Sequence, residues 1–249
     1  MIGAKWLRED SADDRIPATG EAWNRNDEMN TDPQNQEIDH DPLIQVEKVK
    51  SFISFDGAFT IETRGHNGGL AFLWRNQHEV ELLSYSTNHV DVLVDSKGWN
   101  KYRLTGFYGE PDRAKRKDTW DLIKKLHGQM TVPWVVIGDM NNITHQEEKR
   151  GGRPYPNWLI KGFQQCIEDC GLVDLGMEGY PYTWERGHGT DQWMEIRLDR
   201  ALVSSNFMNQ FTDAKLVNLK ISTSDHNPIL LEPFTRSKYA ELGRGSIAA

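Results

Sequence analysis

Between Ala58 and Glu232 the chain is cut into short runs rich in β-branched and aromatic residues: "AFTIET", "GLAFLW", "VELLSYS", "HVDVLVD", "YRLTGFYG", "WVVIGD", "RLDRALVS", "AKLVNLKIS" and "PILLE". Runs of this length, bounded by turn-forming residues, read as strands. Two longer stretches break the pattern with helical spacing. In "RKDTWDLIKKLHG", Trp120, Ile123 and Leu126 share a face and Gly128 ends it. In "NWLIKGFQQCIEDCG", Leu159, Phe163, Cys166, Ile167 and Cys170 form one stripe that stops at Gly171. Val46, Val49, Phe52 and Ile53 carry a shorter helical spacing ahead of the first strand. Strands outnumber helices and the two are interspersed, which predicts an α/β sandwich. No internal repeat is visible.

The net charge of -8 over 249 residues would argue against a polyanionic partner if it were spread evenly. It is not. Residues 1–47 hold 12 Asp/Glu against 4 Lys/Arg, and the remainder balances at 25 of each sign. A neutral body can still carry a local basic patch. Residues 1–42, polar and acidic, are expected to be a disordered leader, residues 43–233 the folded domain, and residues 234–249 a polar tail. No apolar run approaches the roughly 20 residues of a membrane span. "MIGAKWLREDSADDR" lacks the apolar core of a signal peptide, so an intracellular chain with no membrane partner is expected. Cys166 and Cys170, four apart on a helical stripe with no Cys-x-x-Cys partner, read as reduced core residues.

Three strand ends carry polar side chains suited to chemistry. In "PWVVIGDMNNI" an apolar strand runs straight into Asp139, Asn141 and Asn142. Asp139 and Asn141, two apart, are expected on one side, where a carboxylate and an amide orient a water and hold a phosphate oxygen. A surface turn also accounts for Gly, Asp and Asn together. In "RLDRALVS", Asp199 sits in an apolar strand and needs a partner if buried. His226 of "STSDHNPILL" is one candidate, since a carboxylate on one imidazole nitrogen frees the other for a substrate. Arg197 and Arg200 are alternatives, and Asp225-His226 also suits a strand-opening turn. Tyr108 in "GFYGEP" reads by default as a core or edge aromatic.

The blocks "GDMN", "RLDRALVS" and "SDHNPILL", in that order, resemble the signature of the endonuclease/exonuclease/phosphatase superfamily, the fold of pancreatic deoxyribonuclease and apurinic endonucleases. Together with "GGLAFLWR", "LTGFYGEP", "EEKRGG" and "CGLVDLGMEGYPYTW", they are more closely similar to the endonuclease domain of plant LINE-type (non-LTR) retrotransposons. The likeness covers about Leu43 to Pro233. It implies a DNase I-like sandwich of two mixed β-sheets flanked by helices. It also implies roles: Tyr108 contacts the scissile phosphate, Asp139 orients or deprotonates the attacking water, and Asn141 binds a phosphate oxygen. Asp199 holds His226, which stabilises charge growing on the phosphoryl oxygens. Asp225 orders the site near a Mg²⁺ or Mn²⁺ ion, with Glu37 as a further metal ligand. DNA is the implied partner, the nucleus the implied location, and a monomer the implied state.

One part departs from the family pattern. That pattern opens with a strand ending in Trp-Asn, then a helix, then a strand ending in the main metal-binding Glu. Here Trp23-Asn24 lies only thirteen residues before Glu37, too few for a strand, helix and strand. An N-terminally truncated fold is expected. Three functions stay open: a metal-dependent DNA-nicking endonuclease of reduced activity, a catalytically dead remnant that binds nucleic acid, and a phosphatase acting on a small phosphoester. Expected DNA contacts are Arg113, Lys115, Arg116 and Lys117 in "RAKRK", Lys149, Arg150 and Arg153 in "EKRGGR", and Trp184 in "GYPYTWERG", each alternatively a solvated charge or a packed aromatic.

Overall fold

The computed structural model describes residues 2–7, 51, 55–61, 69–74, 80–95, 101–220 and 224–233. The helix-spaced Val46, Val49, Phe52 and Ile53, the tail 234–249, and Trp23, Asn24 and Glu37 lie outside the described residues. The chain divides into two compact units, Met1–Gln77 and His78–Ala249.

The first unit contains a three-stranded antiparallel sheet of β1 (Ile2–Leu7), β2 (Gly57–Ile61) and β3 (Gly69–Trp74), in the order β1-β3-β2. Strand β1 falls within the segment that the sequence sets apart as an acidic leader. Its six residues pair with β3 from Ile2 against Trp74 to Leu7 against Gly69. Ala71 and Leu73 are buried with Phe55 and Ala58 packed on them.

The second unit is built on a six-stranded sheet. Its members are β4 (Val80–Ser86), β5 (His89–Val94), β6 (Tyr102–Tyr108), β7 (Trp134–Asp139), β9 (Leu172–Asp174) and β12 (Asp199–Ser204), in the order β4-β5-β6-β7-β12-β9. The β6–β7 pair is parallel and all others are antiparallel, so the sheet is mixed. Between β6 and β7 runs α1 (Arg116–His127), the crossover that a parallel pair requires. Helix α2 (Asn157–Asp169) starts after Pro156 and buries Leu159, Ile160, Phe163 and Cys166. Gly171 follows at φ +56°, the left-handed conformation common just past a helix end. Both helices cover the face formed by Phe107, Trp134, Val136 and Leu202. Cys166 and Cys170 are free thiols buried in this layer, as their spacing suggested.

Two smaller antiparallel sheets complete the unit. One is β8 (Lys149–Arg150), β10 (Trp184–Arg186) and β11 (Met194–Ile196), in the order β10-β11-β8. The other pairs β13 (Lys215–Asn218) with β14 (Ile229–Glu232). A short helix, α3 (Ser205–Gln210), opens on Ser204, whose hydroxyl accepts from the Phe207 N–H. The alternation of apolar and polar residues anticipated most of the six-stranded sheet. It missed β8, β9, β10, β11 and α3, which are too short to show a period, and β1, which lies in the acidic segment.

Candidate active site

The register of three central strands brings the site together. Tyr108 at the end of β6 is opposite Asp139 at the end of β7, and Asp139 is opposite Asp199 at the start of β12. Side chains at paired positions share a face of a sheet. The helices lie on the face of Phe107 and Trp134, so Tyr108, Asp139 and Asp199 project from the other face. An apolar strand such as Trp134–Ile137, with Trp134, Val135 and Val136 buried, holds its terminal carboxylate rigidly.

The β7 chain then turns sharply. Asn141 sits at φ +48°, a conformation that Asn adopts more readily than most residues, and its N–H donates to Asp139 Oδ1 at 2.7 Å. Asn141 Nδ2 donates to the Gly109 carbonyl at 2.8 Å, and the Gly109 N–H donates to the Asp139 carbonyl at 2.7 Å. The amide of Asn141 therefore reaches the site through a left-handed turn, not through the strand alternation that the two-residue spacing suggested. Gly109 is obligatory here, because a Cβ would stand 2.2 Å from the Met140 carbonyl oxygen.

His226 closes the cluster. Its Nδ1 lies 3.0 Å from Asp199 Oδ2 and its Nε2 lies 3.9 Å from Asp139 Oδ2. Arg197 and Arg200 do not take Asp199; both bind Glu148 and Asp174. Burial disfavours a charged imidazole, but the Asp199 carboxylate, through its charge and hydrogen bond, and the Asp139 and Asp225 carboxylates together hold the His226 pKa at about 9. The ring is an imidazolium at neutral pH. Asp199 is itself set by Thr183, whose buried hydroxyl accepts from the N–H groups of Leu198 and Asp199 at 3.0 and 2.9 Å.

Asp225 is half-buried beside His226, and its Oδ2 accepts from the Trp184 indole N–H at 2.9 Å. Trp184 also forms a β-bridge to His226 and packs its ring against the main core. Trp184, expected as a DNA wedge or a packed aromatic, is half-buried, with its ring on the main core and its N–H on Asp225.

Arg116 is a correction to the expected DNA contacts. It is 7% exposed, and it bonds the carbonyls of Glu110 and Pro111, Asn142 Oδ1 and the Tyr155 hydroxyl. Tyr155 in turn lies 2.7 Å from Asn142 Oδ1 and 3.2 Å from the Asn141 carbonyl. Buried in that network, Arg116 braces the loops after β6 and β7 and has little surface to offer a phosphate. The other basic residues sit nearer solvent. Arg113 and Arg153 are exposed, Lys115 and Lys117 are exposed and paired with Asp112 and Asp121, and Arg150 is exposed with one ion pair to Glu195. Lys149 is half-buried, and its pKa is lowered by burial and by the charge of Arg113.

Asp139, Asn141 and Asp225 offer oxygen donors suited to a hard divalent cation. Among the described residues, however, no three His, Cys, Asp or Glu side chains gather as a metal-binding group. Also among the described residues, no helix is long and apolar enough to cross a membrane.

The fold has counterparts among solved structures. The endonuclease domain of TRAS1, a telomere-specific non-LTR retrotransposon, superposes with a TM-score of 0.57 at 16% identity, over 76% of this chain and 90% of that one. The 3′ phosphatase NExo from Neisseria, bound to product DNA hairpin, gives 0.54 at 18% identity, over 78% and 83%. An AP endonuclease from Archaeoglobus fulgidus gives 0.51 at 15% identity, over 75% and 82%. No curated protein matches the sequence. The fold is DNase I-like, as expected. The model of the Endonuclease/Exonuclease/phosphatase family matches residues 21–226, beginning inside the acidic segment and ending on His226, and the chain belongs to that family.

Proposed function

We propose that the chain is a DNA-nicking phosphodiesterase whose reacting groups are Tyr108, Asp139, Asn141, Asp199 and His226. The observation that carries this reading is the His226 imidazole, bonded to Asp199 at 3.0 Å with its other nitrogen 3.9 Å from Asp139. An imidazolium there meets the negative charge that builds on phosphoryl oxygens, a contribution of order 10²–10³ in rate for one such donor. Asp139, across from it, orients a water for in-line attack and accepts its proton. The Asn141 amide retains a second N–H beyond the one given to Gly109 and donates it to a phosphate oxygen. Tyr108 contacts the same phosphate from β6.

Mg²⁺ or Mn²⁺, when bound, supplies a Lewis acid for the phosphoryl oxygens. Asp225 is the proposed ligand; Glu37, the other ligand that the resemblance implies, lies outside the described residues. DNA is the proposed partner and the nucleus the proposed location, with the chain acting as a monomer. The exposed Arg113, Lys115, Lys117, Arg150 and Arg153, with Lys149, are the proposed backbone contacts, and their binding would weaken with salt.

The test is supercoiled plasmid with Mg²⁺, with Asp139→Ala and His226→Ala beside the wild type. Nicking by wild type, lowered at least 100-fold in both variants, is expected, and EDTA abolishes it. The short interval between Trp23-Asn24 and Glu37 favours a second reading, a remnant that binds DNA without cutting it. Salt-sensitive DNA binding with no nicking at any Mg²⁺ or Mn²⁺ concentration would select it. Release of inorganic phosphate from a small ester, with plasmid left intact, would instead select a phosphatase.

A further inference from the structure

The turn between β4 and β5 reaches the site from the side opposite Asp199. There Asn88 and Tyr108 exchange two hydrogen bonds. The Tyr108 N–H donates to the Asn88 carbonyl at 2.8 Å, and Asn88 Nδ2 donates to the Tyr108 carbonyl at 2.9 Å. The β5–β6 ladder ends one position earlier, with His89 opposite Phe107. A further ladder step would use the Asn88 backbone N–H to reach Tyr108. That N–H instead points back to Ser86 Oγ at 3.1 Å, and the side-chain amide takes over its role.

The turn is itself braced. The buried His89 ring lies 2.7 Å from Ser86 Oγ through Nδ1 and 3.0 Å from Ser84 Oγ through Nε2. On the other side of β6, the next peptide is tied to β7 by the Gly109 N–H on the Asp139 carbonyl. Tyr108 is thus gripped from both flanks at a strand end that would otherwise fray.

We propose that Asn88 is a positioning residue: its carboxamide holds the end of β6 so that Tyr108 keeps register with Asp139 and Asp199. This rests on the reading of Tyr108 as a phosphate contact. A reacting group displaced by about 1 Å can cost up to ~100-fold in rate. Asn88→Asp preserves size and turn preference, but replaces the donor with an oxygen facing the Tyr108 carbonyl.

Two measurements decide it. In full-length protein labelled with 3-fluorotyrosine, the Tyr108 ¹⁹F signal is identified by its loss in Tyr108→Phe. Asn88→Asp and Asn88→Ala should shift or broaden that signal while the other tyrosine signals stay in place. Thr87→Ala, which removes the hydroxyl that donates to Asn88 Oδ1 but leaves the Nδ2 donor in place, should shift it less than either Asn88 variant. An unchanged Tyr108 signal in both Asn88 variants overturns the proposal, whether or not the protein cuts DNA. In the plasmid assay Asn88→Asp should lower kcat roughly 10- to 100-fold with little change in KM. That loss should largely disappear in a Tyr108→Phe background, because the two residues act as one unit. Equal losses in both backgrounds would overturn the proposal, since the turn would then act independently of Tyr108. A wild type that never nicks overturns the nuclease reading instead, and the ¹⁹F spectra alone then judge the clamp.

Discussion

At the scale of single residues, the site depends on how a buried imidazole is kept charged. Burial alone would lower the His226 pKa, yet it is held at about 9 by Asp199, Asp139 and Asp225. An NMR titration of the ring, without divalent cation, should find its midpoint near 9. In Asp199→Asn the hydrogen bond persists in altered form but the charge is gone, so the midpoint should fall by at least a unit. A midpoint that stays near 9 in that variant would show that Asp199 is not the principal partner. Because the folded pKa exceeds the unfolded value of 6.5, the imidazolium stabilises the fold fully below pH 6.5. That contribution is lost as pH rises through 9. Asn141, at φ +48°, is the residue whose backbone geometry most directly serves the cluster.

At the scale of elements, close approach is bought with glycine. Helices α1 and α2 meet where Gly162 faces Trp120, and a Cβ at Gly162 would stand 2.4 Å from the indole ring. Replacing an interior helical glycine with alanine ordinarily gains about 1 kcal/mol of helix propensity. Forcing an extra carbon into a packed core costs about 1–3 kcal/mol. The indole is wedged beside Phe163, with ring centroids 6.4 Å apart, and cannot retreat cheaply. Gly162→Ala should therefore lower Tm by several degrees, and thermal unfolding followed by circular dichroism measures it. A raised Tm would mean that propensity outweighs packing. Gly109→Ala meets backbone at 2.2 Å, at the junction of Tyr108 and Asn141. It should reduce plasmid nicking by a larger factor than any change in DNA affinity, since it misplaces reacting groups and spares the basic surface.

At the scale of the whole molecule, the loop 142–148 is locked to the start of β12 by buried charge. Arg200 is fully buried and pairs with Glu148 at 2.9 Å and Asp174 at 2.8 Å, while Arg197 binds the same two carboxylates at 3.1 and 2.8 Å. Burial opposes ionisation of Glu148, but the Arg200 charge and hydrogen bond, the Thr144 N–H and Arg197 bring its pKa down from 4.5 to about 2. A depressed carboxylate pKa stabilises the fold above the unfolded value, and that stability drains away as pH falls from about 4.5 through 2. The shift corresponds to at most roughly 3 kcal/mol. Urea midpoints measured from pH 7 down to pH 3 should fall along that window. Glu148→Gln should start lower and slope less steeply. Removing one member of a buried ion network commonly costs about 3–5 kcal/mol, so Arg200→Met should unfold well below the wild-type urea midpoint.

Tyr108 was singled out only by the family resemblance, whereas the α/β class, most strands of the six-stranded sheet, both long helices and the strand-end Asp139, Asn141, Asp199 and His226 were legible in the residues. Each of these leaves a local trace: a period of two or of 3.6, a glycine stop, or a polar group where an apolar run begins or ends. Those traces depend only on neighbours along the chain. Strand register, loop bracing and burial depend on partners that are distant in sequence. Hence Arg116 looked like a DNA contact and is buried as a brace, the bond from the Trp184 indole to Asp225 could not be read, and nothing marked Asn88, Thr183 or Tyr155. The sequence by itself determined which side chains could do chemistry. Only the tertiary structure decided that β6, β7 and β12 align Tyr108, Asp139 and Asp199 side by side, because hydrogen-bond register between strands is a property of the assembled sheet.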